Sequence, residues 1–539
     1  MKQQRRVSAE WIVLAAAFAI QMGALVAANL FFLRAGADFD GNTFFSAAIE
    51  VWRQKSLILD DFYYSTSLMI DSPMPLAALF FGIFGNIFFA YGLANVLILA
   101  ADLLLIWQLT RMAGYGLPGF FAASCLLLSP YSAGQVGQME MTVWGSAGYS
   151  VRLLFLLLVV VTICRTEADM PRRALWWSLS AAAALVTAFS SSAYFWQAAV
   201  LPLLCAQVVL LLWKNDVRWM ADRTAVFLYL LTAATAGGML LSKLVESQPS
   251  GDFIGQMSLA DAQGLTDNLG LLLVAVLRFW GWDGAATAFA EDPAQLARLV
   301  RLAAIVCTAA GALLWVWFNR RKSQARRFAL WAGMLAAVGC AIQLLLTRTY
   351  SGVEIQGRYL LLPFALLPLL AGWMLESLPG AGKRLLCGLL SLGIFALVLG
   401  NTYTVLYSAA GNDLSWQEDV LSAVQQEGGG VLLDYCDDGV YQTGRSAYVL
   451  TGGEVLGMDC SLEQQPRRYG NPAPELALQW EGKALALFEA GDPNPLQGRL
   501  VWLQTINGRN LYEVPEKLLP SLLEEREEGE ATVDLEIKD

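Results

Sequence analysis

Long apolar runs alternate with short polar loops over the first 407 residues of the chain. Several of these runs reach about 18 residues or more, the length that a helix needs to cross roughly 30 Å of hydrocarbon. The pattern predicts about eleven membrane-spanning helices, at 11–33, 92–110, 118–133, 150–164, 174–189, 193–213, 225–243, 297–318, 328–346, 359–377 and 385–407. Two further apolar segments, 74–90 and 268–282, fit interfacial helices, re-entrant pieces or extra spans.

Lysine and arginine are dense in every second loop and sparse in the longer loops between them. Because cytoplasmic loops of membrane proteins are enriched in these residues, we expect a cytoplasmic N-terminus in the plasma membrane. The dense loops hold Lys2, Arg5, Arg6, Arg111, Arg165, Arg172, Arg173, Lys214, Arg218, Arg223, Arg320, Arg321, Lys322, Arg326, Arg327, Lys383 and Arg384. An odd number of spans then places the C-terminal part on the extracytoplasmic side.

Residues 408–539 are more polar than the membrane domain, 1–407, and fit a small extracytoplasmic α/β domain. The stretch SWQEDVLSAVQQEG indicates a helix, and GVLLDY and RLVWLQTI indicate strands. Cys436 and Cys460 lie in this domain, where an oxidising compartment would favour a disulfide; two free thiols are the alternative. The tail LLEEREEGEATVDLEIKD is acidic, which is typical of a loosely ordered segment.

Composition narrows the chemistry that this chain can perform. Only 15% of its residues are charged, against roughly 25% in a soluble protein, as expected for a polytopic all-α membrane protein. The net charge of −10 argues against nucleic acid as a partner. The absence of histidine excludes histidine triads, histidine-ligated zinc and histidine bases. Acid–base chemistry therefore falls first to Asp and Glu.

The predicted outer loop at residues 34–75 opens with GADFDGNTFF, which carries Asp38 and Asp40 just beyond the first span. Apolar residues recur at helical spacing over residues 43–55 and predict an amphipathic helix on the membrane surface. Asp40 lies at the start of that helix, where a carboxylate caps the helix and favours its dipole. Because one residue suffices as a cap, Asp38 needs another explanation, and both aspartates stay candidates for chemistry.

This arrangement resembles the GT-C superfamily of membrane glycosyltransferases, which includes the protein O-mannosyltransferases and the aminoarabinose transferase of lipid A. The family pattern is a first membrane helix, an outer loop that opens with acidic residues, a surface helix and a proline-containing re-entrant segment. Here Asp38-Phe-Asp40, residues 43–55 and Asp71-Ser-Pro-Met-Pro-Leu76 match it. The resemblance implies a sugar donor carried on polyprenyl phosphate, Asp38 or Asp40 as the catalytic carboxylate, and Asp71 in support.

A second motif, QGRYLLLP, lies late in the membrane domain. An arginine at the membrane boundary is costly unless it faces a cavity or has a partner, and its planar fork fits phosphate oxygens. Together with the earlier FWGWD, the motif resembles bacterial membrane proteins related to GT-C enzymes. That resemblance implies donor-phosphate binding by Arg358 and Arg348, with Glu354 and Tyr359 in support. An arginine that reaches lipid headgroups or pairs with Glu354 is the alternative.

Glu140 is the only charged residue in the predicted outer turn between the third and fourth spans. GT-C enzymes often carry an acidic residue in this second outer loop, although a lone glutamate in a turn is commonly just hydrated. Paired with Asp40, Glu140 would suit a divalent cation such as Mg²⁺ or Mn²⁺, since hard cations take carboxylate oxygens. A metal-free site fits the same residues.

The resemblance implies an inverting glycosyltransferase that moves a sugar from a polyprenyl-phosphate donor to an extracytoplasmic glycan, lipid or protein. An aspartate would accept the proton of the acceptor hydroxyl, and arginine would stabilise the charge on the leaving phosphate. A flippase or transporter of lipid-linked glycans is an alternative that places charges near the midplane, where Asp102 is a candidate. A glycan polymerase or ligase and a non-catalytic scaffold are further alternatives.

Overall fold

The membrane domain is built almost entirely of helices. The computed structural model describes residues 9–64, 67–129, 142–214, 222–245, 259–279, 293–346, 355, 357–378, 383–411, 414–436, 443–460, 471–491, 496 and 498–523. The helices up to residue 411 are α1 (Ala9–Phe31), α2 (Phe39–Gln54), α3 (Met74–Phe84), α4 (Ile87–Met112), α5 (Leu117–Leu127), α6 (Ser150–Glu167), α7 (Arg173–Ser191), α8 (Leu201–Lys214), α9 (Arg223–Ser242), α10 (Ala262–Phe279), α11 (Pro293–Asn319), α12 (Ser323–Leu345), α13 (Leu361–Phe364), α14 (Leu366–Ser377) and α15 (Lys383–Gly411).

Seven helices among the described residues are long and apolar enough to cross a membrane. They are Glu10–Phe31, Ile87–Met112, Arg173–Ser191, Trp196–Trp213, Arg223–Ser242, Ser323–Leu345 and Lys383–Tyr403. The bent pair Gly357–Phe364 and Leu366–Ser377 makes an eighth span if its two pieces are counted together. The prediction of a polytopic helical membrane protein is confirmed, whereas the count of about eleven spans stays a prediction.

The span predicted at 359–377 is bent by 44° between its two pieces. Pro363 lies just before the bend, and proline removes a backbone donor and crowds the preceding turn of a helix. Its ring packs on Gly339 of α12, where a Cβ would lie 2.4 Å from the Pro363 Cγ atom. The first piece begins with a 3₁₀ turn, Gly357–Leu360, which carries the GRY part of the late motif.

The loop after α1 contains the predicted amphipathic helix, which begins earlier than residue 43. This helix, α2, buries the polar Ser46 and Glu50 as well as Phe45 and Ile49, so the prediction that it lies on the surface is wrong. The segment predicted at 74–90 is α3 followed by the first turn of α4. Gly85 ends α3 with a φ of 69°, a conformation that glycine adopts without strain. Residues 268–279 of the segment predicted at 268–282 lie on α10, and residues 280–282 lie outside the described part of the chain.

The C-terminal part folds as the predicted α/β domain around a five-stranded sheet. Its elements are α16 (Ser415–Gln426), β2 (Gly429–Asp434), α17 (Thr443–Leu450), β3 (Leu456–Asp459), β5 (Lys483–Glu489), β6 (Val501–Ile506), β7 (Arg509–Glu513) and α18 (Leu519–Leu523). The strand order in the sheet is β3-β2-β5-β7-β6. Strand β2 runs parallel to β3 and β5, and β7 runs antiparallel to β5 and β6. The predicted acidic tail lies outside the described residues from residue 524 onward.

A separate two-stranded ladder joins the C-terminal domain to the loop after α1. The strands β1 (Phe62–Tyr63) and β4 (Asn471–Pro472) pair antiparallel. The Ala473 N–H also donates to the Asp61 carbonyl oxygen at 2.9 Å. The loop and the C-terminal domain therefore share backbone hydrogen bonds as well as side-chain contacts.

No disulfide joins Cys436 to Cys460 in the structure. They follow the neighbouring strands β2 and β3 but lie on opposite faces of the sheet. Cys436 packs with Leu432 in the cluster beneath α16, whereas Cys460 packs with Met458 in the main core. Since successive side chains of a strand point to opposite faces, the sequence spacing itself keeps these two thiols apart.

Candidate active site

Asp38, not Asp40, caps α2. The backbone of Asp38 is extended, with φ −86° and ψ −172°, and its carboxylate accepts a 2.6 Å hydrogen bond from the Gly41 N–H. A Cβ on Gly41 would lie 1.9 Å from the Gly36 carbonyl oxygen, so only glycine fits at this position. The predicted capping role of Asp40 is wrong because the helix begins at Phe39 and places Asp40 inside its first turn.

Partial burial raises the pKa of the Asp38 carboxyl to about 6, and the negative charge of Asp40 pushes it in the same direction. The hydrogen bond from the Gly41 N–H opposes this shift by favouring the ionised carboxylate. An unfolded aspartate titrates near 3.9, so the folded chain holds a proton that the unfolded chain releases between about pH 4 and 6. The stability contribution of Asp38 therefore falls as the pH rises across that window.

Asp40 faces the arginine of the late motif. The Arg358 Nη1 atom lies 3.8 Å from the Asp40 Oδ2 atom, and the two side chains are 27% and 31% exposed. That distance defines an ion pair but is too long for a direct hydrogen bond. Arg358 also lies over the ring of Tyr359, 5.6 Å from its centre. The two motifs singled out from the sequence thus meet at one partly open position.

Asp71 is buried in an ion pair, and its supporting role in the site stays a prediction. Its carboxylate is completely buried and receives two hydrogen bonds from Arg152, at 2.6 and 3.2 Å. The hydroxyls of Ser190 and Ser191 on α7 donate to the same carboxylate at 2.7 and 2.8 Å. These contacts tie the segment before α3 to α6 and α7.

Sequence reasoning missed Arg152, which lies in the first turn of α6. The signal was present, since an arginine inside an apolar run requires a partner in the same way as Arg358 does. Arg152 also lies over the rings of Tyr149 and Tyr194, 4.5 and 5.2 Å from their centres. Tyr194 in turn contacts Tyr359, with ring centres 6.5 Å apart. A row of aromatic rings therefore connects the two arginines.

Several predicted site residues lie outside the described part of the chain. These are Glu140, Arg348 and Glu354. Among the residues that the structure does describe, no group of three or more Asp, Glu, Cys or His side chains is arranged to hold a metal ion. The predicted metal site of Asp40 and Glu140 stays a prediction, and the described positive partner of Asp40 is a guanidinium.

Comparisons of the sequence itself find no matching protein-family model and no matching curated protein. Comparison of the structure does find similar proteins. ArnT from Cupriavidus metallidurans in the apo state aligns over 96% of this chain and 98% of its own, with 13% identity and a TM-score of 0.56. ArnT is an aminoarabinose transferase of the GT-C superfamily. This chain has the GT-C fold.

A second structure of ArnT aligns with this chain to nearly the same extent. ArnT from C. metallidurans bound to undecaprenyl phosphate covers 96% of this chain and 99% of its own, at 14% identity and a TM-score of 0.56. An apo oligosaccharyltransferase from Archaeoglobus fulgidus covers 91% and 70%, at 10% identity and a TM-score of 0.46. The GT-C-like fold predicted from the loop after α1 is confirmed, and the low identities limit the likeness to the fold.

The buried Asp71–Arg152 pair yields a prediction about stability. Asp71→Ala leaves Arg152 buried without its counter-ion, so we expect a loss of about 3–5 kcal/mol in the free energy of unfolding. The double variant Asp71→Leu with Arg152→Met should lose less, because it removes both charges together. Thermal unfolding of the purified protein in detergent measures the difference. Equal losses in the two variants would contradict a dominant role for the ion pair.

Proposed function

We propose that this protein is an inverting membrane glycosyltransferase that uses a polyprenyl-phosphate sugar as donor. The observation that carries the proposal is the 3.8 Å pair of Asp40 and Arg358 on a GT-C fold. A carboxylate and a guanidinium side by side supply the two functions that sugar transfer from a phosphate needs. The structure of ArnT with undecaprenyl phosphate supports this class of donor, and the predicted orientation places the site on the extracytoplasmic side.

Asp40 is the proposed general base. Because Asp38 satisfies the Gly41 N–H at the start of α2, the Asp40 carboxylate is left to accept the proton of an acceptor hydroxyl. Its partial exposure leaves room for that hydroxyl to approach. The deprotonated oxygen attacks the anomeric carbon from the face opposite the phosphate, so a single displacement inverts the anomeric centre. The acceptor is a glycan, lipid or protein hydroxyl.

Arg358 is the proposed phosphate ligand. When the bond from the anomeric carbon to the phosphate oxygen breaks, negative charge grows on the leaving polyprenyl phosphate. A fixed guanidinium stabilises that charge, and its planar fork can donate two parallel hydrogen bonds. The released phosphate is a stable anion, so the leaving group needs no strong acid. Arg348 is the second proposed phosphate ligand, with Glu354 and Tyr359 in support.

A flippase or transporter of lipid-linked glycans is the second candidate. Asp102 favours it, because this carboxyl is 2% exposed in the middle of α4. One of its oxygens has no hydrogen-bond partner among the described residues. Ionisable groups at that depth are often functional. The Asp40–Arg358 pair nevertheless fits sugar transfer better, because both residues lie near the ends of membrane helices. Transporters concentrate such groups near the midplane.

The two aspartates yield opposite predictions for one isosteric change. Asp40→Asn should lower turnover about 10²–10⁴-fold, the usual contribution of a general base. Asp38→Asn should retain turnover within about fivefold, because asparagine caps a helix as well as aspartate does. Sugar transfer by the reconstituted protein from a panel of polyprenyl-phosphate sugars measures both. Loss of turnover in Asp38→Asn alone would assign the base to Asp38.

The fold of Asp38→Asn can be checked independently of turnover. Because asparagine does not titrate, Asp38→Asn should lack the contribution by which Asp38 lowers the stability of the wild type as the pH rises from about 4 to 6. Thermal unfolding of both proteins across that range provides the comparison.

Removal of divalent cations with EDTA distinguishes a site that depends on arginine from one that depends on a metal ion. Since Arg358 supplies positive charge beside Asp40, we expect EDTA to leave turnover within about twofold of the untreated enzyme. The assay is the same sugar transfer after dialysis against the chelator. A loss that Mg²⁺ or Mn²⁺ restores would instead support the predicted metal site of Asp40 and Glu140.

A further inference from the structure

The C-terminal domain reaches the first turn of α2, the same turn that carries Asp40. We propose that α17 of this domain positions Asp40 against Arg358, with Ser446 and Arg445 as the positioning residues. The proposal rests on the proposed role of Asp40 as base. It assigns the C-terminal domain a part in the geometry of transfer.

Asn42 forms the first of the two connecting contacts. Its side-chain amide donates to the Ser446 hydroxyl at 3.0 Å and to the Ala37 carbonyl oxygen at 3.2 Å. Both Asn42 and Ser446 are buried, at 1% and 0% exposure. Ala37 precedes the capping residue Asp38, so this one amide joins the entry to α2, its first turn and α17.

Arg445 forms the second contact. Its Nη1 atom donates to the Thr43 hydroxyl at 3.3 Å. Thr43 lies three residues after Asp40, which makes the two side chains neighbours on the helix surface. A shift of α17 would therefore be transmitted to the turn that holds the candidate base.

The environment of Arg445 explains why this contact is rigid. The guanidinium is completely buried and pairs with Asp459 of β3, whose Oδ2 atom lies 3.3 Å from the Arg445 Nε atom. The Asp459 carboxylate also accepts a 3.3 Å hydrogen bond from the Arg445 backbone N–H. Removing one partner of a buried pair is strongly destabilising, so Arg445 cannot easily leave its place. It presents Thr43 with a fixed donor.

The far end of α2 contacts the same domain and provides a matched control. There the Tyr448 hydroxyl donates to the Glu50 carboxylate and accepts from the Arg53 guanidinium at 3.0 Å. Arg53 also stacks over Trp480, 4.5 Å from the ring centre. These contacts begin ten residues after Asp40, roughly 15 Å along the helix. Removing them weakens the interface between α2 and α17 without touching the first turn.

The experiment compares Thr43→Val and Ser446→Ala with Thr43→Ser and Tyr448→Phe in the full-length reconstituted protein. Valine matches threonine in shape but cannot accept from Arg445, whereas serine still can. The first readout is kcat and KM for the donor. The second is hydrogen exchange of the backbone amides at residues 39–46, which needs no activity.

We expect Thr43→Val and Ser446→Ala each to lower kcat about tenfold, since small misplacements of reacting groups are costly. The donor KM should stay within about twofold, and exchange at residues 39–46 should become faster. Thr43→Ser should recover most of kcat, and Tyr448→Phe should keep kcat within about twofold while lowering thermal stability.

Unchanged exchange in both Thr43→Val and Ser446→Ala would overturn the positioning role, whatever the activity. Faster exchange with an unchanged kcat would overturn it as well, and so would an equal loss of kcat in Tyr448→Phe. A wild type that turns over no donor contradicts the proposed function instead. Exchange at residues 39–46 then decides alone whether α17 fixes the first turn of α2.

Discussion

An arginine at the edge of a membrane must have a partner, and two such arginines determine how this protein is assembled around its candidate site. Arg152 is paired with Asp71, whose carboxylate is completely buried and also accepts hydrogen bonds from the hydroxyls of Ser190 and Ser191. Arg358 lies at ion-pair distance from Asp40, and both side chains remain partly exposed. The first pair is therefore closed to solvent, whereas the second is accessible to it.

This difference between the two pairs follows from the local backbone. Asp71 lies in the segment before α3, where four donors converge on its carboxylate. Asp40 lies in the first turn of α2, whose cap is already provided by Asp38. Which of the two neighbouring aspartates caps α2 therefore depends on where the helix begins. Glycine is required at residue 41 of that first turn, because any side chain there would collide with the Gly36 carbonyl oxygen.

Much of the fold could be predicted from the hydrophobic pattern, because each membrane helix carries its own apolar signal. The α/β nature of the C-terminal domain and the meeting of the first loop with the late arginine were likewise accessible from motifs. The capping role of Asp38 was not, since α2 starts four residues earlier than the pattern predicts. The Asp71–Arg152 pair and the contacts of α17 with α2 join residues far apart in sequence. A single sequence contains no direct signal for such long-range side-chain contacts.

Arg358, paired with Asp40, is the proposed ligand of the phosphate of a lipid-linked donor. The most direct measurement is the affinity of the reconstituted protein for undecaprenyl phosphate, compared between the wild type, Arg358→Gln and Arg34→Gln. Arg34→Gln is the matched control, because it removes the same charge from an exposed ion pair with Glu418. We predict that Arg358→Gln binds at least about tenfold more weakly, since a hydrogen bond to a charged group contributes about 1.5–3 kcal/mol, and that Arg34→Gln binds as the wild type does. Equal affinities in all three proteins would contradict the binding of the donor phosphate by Arg358.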